Sequence, residues 1–514
     1  MYLTQGLHRA VQQQPDAVMT ICGERRRTFA EVAERVSRLA GALQGLGVRS
    51  RDRVGILALN SDRYHEYLLA VPWAGAVLNP VNIRWSPAEI AYSLADCDTR
   101  VLFVDEAFVP SLPTLYSAVP GLRTVIYLGE GPAPDGTLDY ESLIAGAQPV
   151  ADTCLGGDAL AGVFYTGGTT GSPKGVMLSH TNLATSWLGS AATGCLPTRA
   201  SRSLHCAPMF HLAALAVWGS TLLLGGSHVF VPSFKTESVF EAIAAHRVTD
   251  VLVVPTMIQL LVDDPRIGEY DLTSLRAVLY GASPIPAAVL ERAMRRLPAA
   301  SFTQAYGLTE TAPIVTVLTP DDHRNGLLRS AGQAAPHSEL RIVDADSNQV
   351  PTATIGEITV RGDHLMAGYW GKPAETAAVL RNGWLHTGDA GYLDDQGYLY
   401  IVDRLKDMIV TGGENVYSAE VENAIARHPA VAQCAVIGVP DTEWGERVHA
   451  VVVPAPGQTP TLEDLREHTK TFIAGYKAPR SLDLVEALPV SGAGKILKRE
   501  LRRSYWSGDT RQVH

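Results

Sequence analysis

Two rhythms of apolar and polar residues run along this chain, and the change from one to the other divides it. At the start Leu3, Leu7 and Val11 recur at the i, i+4, i+8 spacing of one helix face. A polar turn is expected at 23–27, after which Thr28, three residues before Glu31, opens a helical pattern to about residue 46 in the form of a capping box. Short apolar runs then alternate with amphipathic stretches: strands at 53–59, 77–81 and 101–104, helices at 62–73 and 86–95, the second opened by Ser-Pro. A stretch rich in Gly, Pro and Asp at 129–157 reads as irregular surface. A second block repeats the rhythm, with strands at 176–178, 204–207, 228–231, 251–254, 276–280 and 301–304. Its helices are read at 212–224 and 237–246, from Pro286, and from Asn182 with Thr181 as cap. Strands separated by helices imply parallel pairing with covered faces, hence two α/β sheets side by side.

From Ser330 the period shortens to two, with strands at 339–343, 356–361, 391–393 and 398–402 and turns at 344–348 and 394–397. This is the texture of a small β-barrel or sheet. After a polar cluster at 403–407, helices at 418–428 and 462–472 flank strands at 431–439 and 448–453. The expected fold is α/β: a large N-terminal domain, 1–405, of two α/β sheets plus the small β-barrel, then a small α+β C-terminal domain, 406–514.

Bulk properties narrow the function. A chain of 514 residues is too long for one core and has ample volume for a buried site. The net charge of -10 argues against a general nucleic-acid binder, so the expected partners are small molecules. The six cysteines lack metal-type spacing, which fits a reducing compartment. Residues 1–15 lack the basic and apolar regions of a secretory signal, and no segment approaches the roughly 18 apolar residues of a membrane span. A cytoplasmic protein without a transmembrane segment is expected. Its oligomeric state is left open, a homodimer included.

The candidate chemistry centres on Tyr165 to Gly175, where Gly167, Gly168 and Gly171 are interleaved with Thr166, Thr169 and Thr170 and followed by Lys174. Glycines let backbone N–H groups turn inward, threonines add hydroxyls and the lysine adds charge, which together suit a phosphate chain. A Walker A loop would open a helix at its lysine; here Pro173 pushes Ser172 toward extended conformations. Further polar clusters stand at predicted strand ends: Pro208 to His211, Tyr280 to Ser283, Gln304 to Glu310, His386 to Asp389, Asp403 to Asp407 and Pro489 to Lys495.

In this order and spacing the clusters resemble those of the adenylate-forming superfamily of acyl-CoA synthetases, firefly luciferases and peptide synthetase adenylation domains, over nearly the whole chain. The resemblance implies that a carboxylic acid is joined to AMP with expulsion of pyrophosphate and then passed to a thiol, with ATP, Mg²⁺ and CoA required. It makes 165–175 the phosphate loop, with Thr166, Thr169, Thr170 and Lys174 as donors and Gly167 where many members have serine. Gly281, Ala282, Gln304 and Gly307 then belong to the nucleotide and acyl surroundings, Tyr306 stacks on adenine and Thr309 meets the α-phosphate. Glu310, with Thr166, holds Mg²⁺; Asp389 takes the ribose hydroxyls and Arg404 is a second nucleotide contact. Lys495 reaches the reacting carboxylate, Lys406 is the hinge of a swivelling C-terminal domain, and Gly412 and Gly413 line the pantetheine tunnel. Lys477 and Arg480 are weaker candidates for the CoA phosphates. His211 gates the acyl pocket, orients the carboxylate or packs on the nucleotide.

By the same resemblance the acyl pocket is lined near His211, Ala213, Trp218, Gly281, Gln304 and 311–314. No acidic or basic residue there selects an amino acid or a second carboxylate, so an apolar acid is expected: a medium- to long-chain fatty acid first, an aryl or cinnamate-type acid close behind. A carrier-loading enzyme would share every nucleotide motif, but no carrier domain follows Lys495, which favours free CoA. Luciferase-like oxygenation, a P-loop ATPase and a non-catalytic nucleotide binder are the remaining rivals.

Overall fold

The computed structural model describes the chain except for residues 167–172, 196, 284, 405–406, 413, 491–495 and 507–514. Its N-terminal part carries two large sheets. The eight-stranded one runs from Gly368–Tyr369 through Lys174–Ser179, Leu160–Thr166, Val77–Pro80, Arg53–Leu57, Val101–Val104 and Thr124–Tyr127 to Leu138–Asp139. It is parallel except at the end carrying Leu160–Thr166 and Lys174–Ser179, which form an antiparallel hairpin. In the nine-stranded sheet, Ser227–Phe230, Arg202–His205, Asp250–Val253, Ala277–Gly281 and Ser301–Tyr306 are parallel neighbours, and Thr316–Leu318 and Gln333–Ala334 close one edge antiparallel.

The other edge corrects the sequence reading. Residues 23–27 are not simply a turn: Val18–Cys22 and Arg25–Thr28 form a hairpin whose first strand lies parallel to Ser227–Phe230. Three consecutive arginines hid the strand, yet Arg25 donates from Nε and Nη2 to Asp62 at 2.9 and 2.8 Å, and Arg27 bonds the same carboxylate. Asp62 opens the helix Asp62–Trp73, which lies buried along its whole length. Charges there need internal partners, because an unpaired buried ion is costly. Glu66 accepts from Arg35 Nε at 2.7 Å and from the Tyr140 hydroxyl at 2.5 Å. Tyr140 is buried in the helix Tyr140–Gly146, so 129–157 is not only irregular surface.

Helices between the sheets make one continuous core. It joins Met19 and Phe230 of the nine-stranded sheet to Val54 and Phe164 of the eight-stranded one through Val36, Leu69, Trp187 and Leu215. The capping box at Thr28 and Glu31 is present, and Ser86 with Glu89 caps Pro87–Asp96 in the same way. The helix assigned to a Thr181 cap instead spans His180–Ala192 and is capped by Ser179, whose hydroxyl accepts from Asn182 N–H at 3.1 Å. A helix at Pro255–Asp263 was not anticipated.

The hairpin region is a five-stranded antiparallel sheet built on Glu339–Val343, Gly356–Arg361 and Trp384–Leu393, with Leu380–Arg381 and Leu399–Arg404 both paired to the last. A separate C-terminal domain follows. Its sheet orders Glu414–Val416, Ile409–Thr411, Gly445–Pro454 and Val431–Asp441, with Ser481–Leu484 parallel to Gly445–Pro454, and the helices Ser418–Ile425 and Leu462–Lys470 pack together beside it. Among the described residues no helix is long and apolar enough to cross a membrane.

Candidate functional site

The site is assembled from strand ends. Thr166 is the last residue of its strand and pairs directly with Lys174 in the antiparallel partner strand. The hairpin is anchored below by Tyr165, whose hydroxyl donates to Asp96 at 2.6 Å. Lys174 Nζ lies 2.5 Å from Glu375 Oε2 and 5.1 Å above the Tyr369 ring, and the Tyr369 hydroxyl donates to Glu310 Oε1 at 2.9 Å. Lys174 and Glu310, the candidate phosphate-loop lysine and the candidate Mg²⁺ carboxylate, are thus tied to one aromatic. Burial and the Glu310 charge both push the Tyr369 hydroxyl far above its ordinary range, so it remains a donor. The Lys174 bond draws the Glu375 carboxyl below the usual range.

Glu310 sits in the short turn Thr309–Thr311 beside the strand Lys174–Ser179, and its carbonyl accepts from Met366 N–H at 2.9 Å. Just upstream, the Tyr306 hydroxyl donates to Asp389 Oδ2 at 2.8 Å, and Asp389 Oδ1 lies 3.3 Å from Arg404 Nε. Asp389 is buried and faces Arg404 across adjacent strands. Its turn is fixed by Glu357, which takes the Gly388 N–H at 3.0 Å and meets His386 Nδ1 at 2.7 Å. Tyr306, Asp389 and Arg404, which lie far apart in the chain, therefore form one contiguous polar group. Burial, then the neighbouring Asp389 charge, holds the Tyr306 hydroxyl protonated well above its ordinary range.

Gly281 pairs with Ala305 in the adjacent strand, and a Cβ there would stand 2.1 Å from the Ala305 carbonyl oxygen, so only glycine permits this approach. Ala282 follows with φ of 69°, and Gln304 lies opposite Tyr280, whose hydroxyl contacts it at 3.5 Å. His211 precedes the helix Leu212–Leu224 with its ring 4.1 Å from that of Phe210. One face of this helix contributes Ala213, Ala214 and Val217 to a cluster with Ala207, Leu279 and Ile314. Trp218, expected beside that small-residue cluster, points the other way: it packs with Trp187 in the core between the sheets and donates to His65 Nδ1 at 2.9 Å.

In the C-terminal domain, Lys477 Nζ bonds both Glu420 oxygens at 2.8 Å, while the Arg480 guanidinium stacks 4.0 Å from the Trp444 ring centroid. Gly412, with φ of 60°, donates to the Trp444 carbonyl at 2.8 Å, and a Cβ on it would meet the indole at 2.7 Å. Gly412, Trp444 and Arg480 thus converge, whereas Lys477 is held by a carboxylate. Gly167, Gly168, Thr169, Thr170, Gly171, Lys406, Gly413 and Lys495 lie outside the described residues. Sequence reasoning missed Tyr369, Glu375 and Trp444. Their signals were faint, since an aromatic in Gly-Tyr-Trp or Glu-Trp-Gly ordinarily reads as packing.

Two polar groups thus gather residues distant in sequence at strand ends, Tyr306 with Asp389 and Arg404, and Lys174 with Tyr369 and Glu310, in a chain that carries a separate C-terminal domain. A family model described as AMP-binding enzyme matches residues 7–370, and one described as AMP-binding enzyme C-terminal domain matches 420–495. The chain belongs to the AMP-binding enzyme family, within the adenylate-forming superfamily, and its enzyme class is acid–thiol ligase. It is 41% identical over 498 residues to a feruloyl-CoA synthase of an Amycolatopsis species, covering 97% of this chain and 98% of that one. A fatty acid–acyl-carrier-protein ligase of Streptomyces coeruleorubidus is 36% identical, covering 98% and 96%. Among solved structures, ATP-bound MatB of Rhodopseudomonas palustris superposes with a TM-score of 0.89 at 31% identity, covering 98% and 99%.

Proposed function

We propose that the chain is an ATP-dependent acyl-CoA synthetase for an apolar carboxylic acid, with an aryl or cinnamate-type acid as the preferred class. The observation that carries the nucleotide half is the Tyr306–Asp389–Arg404 group, with 2.8 and 3.3 Å contacts, beside Glu310. In this reading Asp389 accepts from the ribose hydroxyls, the Tyr306 ring supports adenine, and Thr166, Lys174 and the glycine–threonine loop hold the β and γ phosphates. The oxygen donors Glu310 and Thr166 suit a hard cation, and bound Mg²⁺ would neutralise phosphate charge there. The substrate carboxylate attacks the α-phosphorus, a C(O)O–P bond forms, and the bond to the β-phosphate breaks as pyrophosphate leaves. Thr309 meets the α-phosphate and Lys495 steadies the approaching carboxylate. The CoA thiolate then attacks the acyl carbonyl and AMP leaves.

The acid class rests on two supports. Ala207, Ala213, Ala214, Val217, Leu279 and Ile314 offer an uncharged surface beside His211 and Gly281. The identity to a feruloyl-CoA synthase, higher than to the fatty acid ligase, supports naming the aryl acid ahead of the fatty acid that the sequence reading put first. A fatty acid remains the second reading, supported by that ligase's near-complete coverage. The C-terminal domain, taken as 406–514, is proposed to swivel about Lys406 so that one site serves both steps: it excludes water from the acyl-adenylate, then admits pantetheine past Gly412 and Gly413. Arg480, stacked on Trp444, is the contact proposed for the CoA phosphates. The test is AMP and pyrophosphate release from ATP and Mg²⁺ with acetate, octanoate, palmitate, benzoate, cinnamate and ferulate, with and without CoA. CoA-dependent turnover peaking with the aryl acids is expected. A peak with palmitate would move the assignment to fatty acids, and pyrophosphate release without CoA dependence would redirect it to a carrier protein.

A further inference from the structure

At the start of the chain, the first helix, Gln5–Gln13, meets the segment that leads into the strand Leu160–Thr166. Here His8, Asp152 and Cys154 bring an imidazole nitrogen, a carboxylate oxygen and a thiol sulfur within 4.8 Å of one another. We propose that this cluster is a Zn²⁺ site, separate from the Mg²⁺ position at Glu310 and independent of the ligase reading.

The donors are prepositioned by bonds that do not involve a metal. Met1 carbonyl accepts from Gly157 N–H at 3.0 Å and Leu3 N–H donates to His180 Nδ1 at 3.2 Å, which docks the start of the chain against Gly157 and the first residue of the helix His180–Ala192. The His8 ring lies 4.8 Å from Trp73, whose indole N–H is fixed on the Val150 carbonyl at 2.9 Å. Asp152 Oδ1 takes the Cys154 N–H at 2.8 Å, and Oδ2 takes Thr4 Oγ1 at 2.5 Å and meets His8 Nε2 at 2.7 Å. Cys154 itself is exposed and has φ of 50°, a left-handed conformation that a residue other than glycine adopts only when its surroundings impose it. The bond to Asp152 imposes it here and keeps the sulfur beside the other two donors.

Mixed nitrogen, oxygen and sulfur donors select Zn²⁺ over Mg²⁺ or Ca²⁺, which take oxygen alone. Tetrahedral Zn²⁺ with bonds of roughly 2.0–2.3 Å would space its ligand atoms roughly 3.3–3.8 Å apart. The His8–Asp152 pair therefore has to open by well under 1.5 Å, roughly, with the metal replacing the proton they share. His8 then binds through Nε2 with its proton on Nδ1, Cys154 releases its thiol proton to solvent, and water fills the fourth position. One dication, one carboxylate and one thiolate sum to zero charge, which limits the desolvation cost.

The test uses the reduced full-length chain, stripped with a chelator and free of nucleotide. Titration with Zn²⁺ against a chromogenic chelator is expected to give one equivalent, and Co²⁺ in its place a thiolate-to-metal charge-transfer band. Cys154→Ser should abolish the band and the Zn²⁺-dependent rise in Tm, His8→Ala should weaken Zn²⁺ at least about tenfold, and Cys195→Ser should change nothing. A wild-type chain without the band, or a band that survives Cys154→Ser, overturns the site. Should His8→Ala misfold, Cys154→Ser carries the test alone, since it exchanges one atom on an exposed side chain.

Discussion

Replacing Asp389 by asparagine tests the nucleoside assignment most directly. The carboxylate is 5% exposed, accepts from Tyr306 at 2.8 Å and faces Arg404 Nε at 3.3 Å. Asparagine keeps the size but removes the charge, so each hydrogen bond from a ribose hydroxyl falls from the charge-assisted to the neutral range, a loss of about 1 kcal/mol. Two hydroxyls give about 2 kcal/mol, or roughly a 30-fold fall in kcat/KM for ATP. Tyr306→Phe keeps the ring and removes one bond to the same carboxylate, so its fall should be about tenfold or less. Because the two residues touch, the double variant should lose less than the sum of the singles. The assay is ATP–pyrophosphate exchange at saturating acid, with a thermal melt to confirm that each variant folds. A loss confined to the KM of the acid, or an Asp389→Asn effect below about threefold, would refute the reasoning.

Three further outcomes follow from the same geometry. Glu375→Gln releases Lys174 from a partly exposed pair worth about 0.2–1 kcal/mol, so the KM for ATP should fall by up to about fivefold at low salt and converge with wild type at high salt; a rise would make Glu375 a positioning group for the lysine. Burial alone would raise the Asp62 carboxyl, but Arg25 and Arg27 hold it down to about 2. A depressed carboxylate stabilises the fold above its unfolded value of about 3.9 and loses that contribution as pH falls through about 2, so roughly 2.5 kcal/mol should vanish between about pH 5 and 1. Urea midpoints over that range should fall in wild type and stay flatter in Asp62→Asn. Lys495→Ala should suppress pyrophosphate release by about 100-fold or more while leaving transfer from a supplied acyl-adenylate to CoA within a few-fold, and equal losses would contradict its assignment to the first step.

Long periodic elements were legible because their pattern and their burial have one cause. The helices at 62–73 and 212–224 were expected where Asp62–Trp73 and Leu212–Leu224 lie, and Thr28 with Glu31 marked a real cap. What escaped depended on contacts distant in sequence. Arg25–Thr28 reads as a polar turn until Asp62 is known to wait beneath it, and Tyr140 reads as loop until Glu66 and Arg35 are placed against it. Trp218 failed for a related reason: along a helix apolar on every side, no local pattern says which face meets the small-residue cluster and which the core between the sheets. In the site, Tyr306, Asp389 and Arg404 were readable as motifs, and the structure added that they touch. Tyr369, the link between Lys174 and Glu310, has no motif of its own.

The junction of the two domains supplies the last prediction. Asp403 belongs to the strand Leu399–Arg404 and pairs with Ala390 in the N-terminal part, yet its buried carboxylate reaches across the junction. Oδ2 accepts from the Ser418 hydroxyl at 2.7 Å and from Ser418 N–H, at the first turn of the helix Ser418–Ile425, where a negative charge also meets the positive end of the helix dipole. The same hydroxyl is contacted by Lys498 Nζ at 2.6 Å, Lys498 pairs with Glu422 at 2.7 Å, and Arg502 meets Asp407 at 2.8 Å. A body turning about Lys406 would carry Ser418 away from Asp403, so this contact favours the present orientation over any other. Charge-assisted bonds of this kind contribute about 1.5–3 kcal/mol, enough to shift a two-state balance by more than about tenfold. Asp403→Ala should therefore change the ratio of the adenylation rate to the thioester-forming rate by at least about tenfold, measured as pyrophosphate release and as CoA transfer from supplied acyl-adenylate. Equal changes in both, with only the Tm lowered, would mean that Asp403 and Ser418 move as one body and that the pivot lies before Asp403.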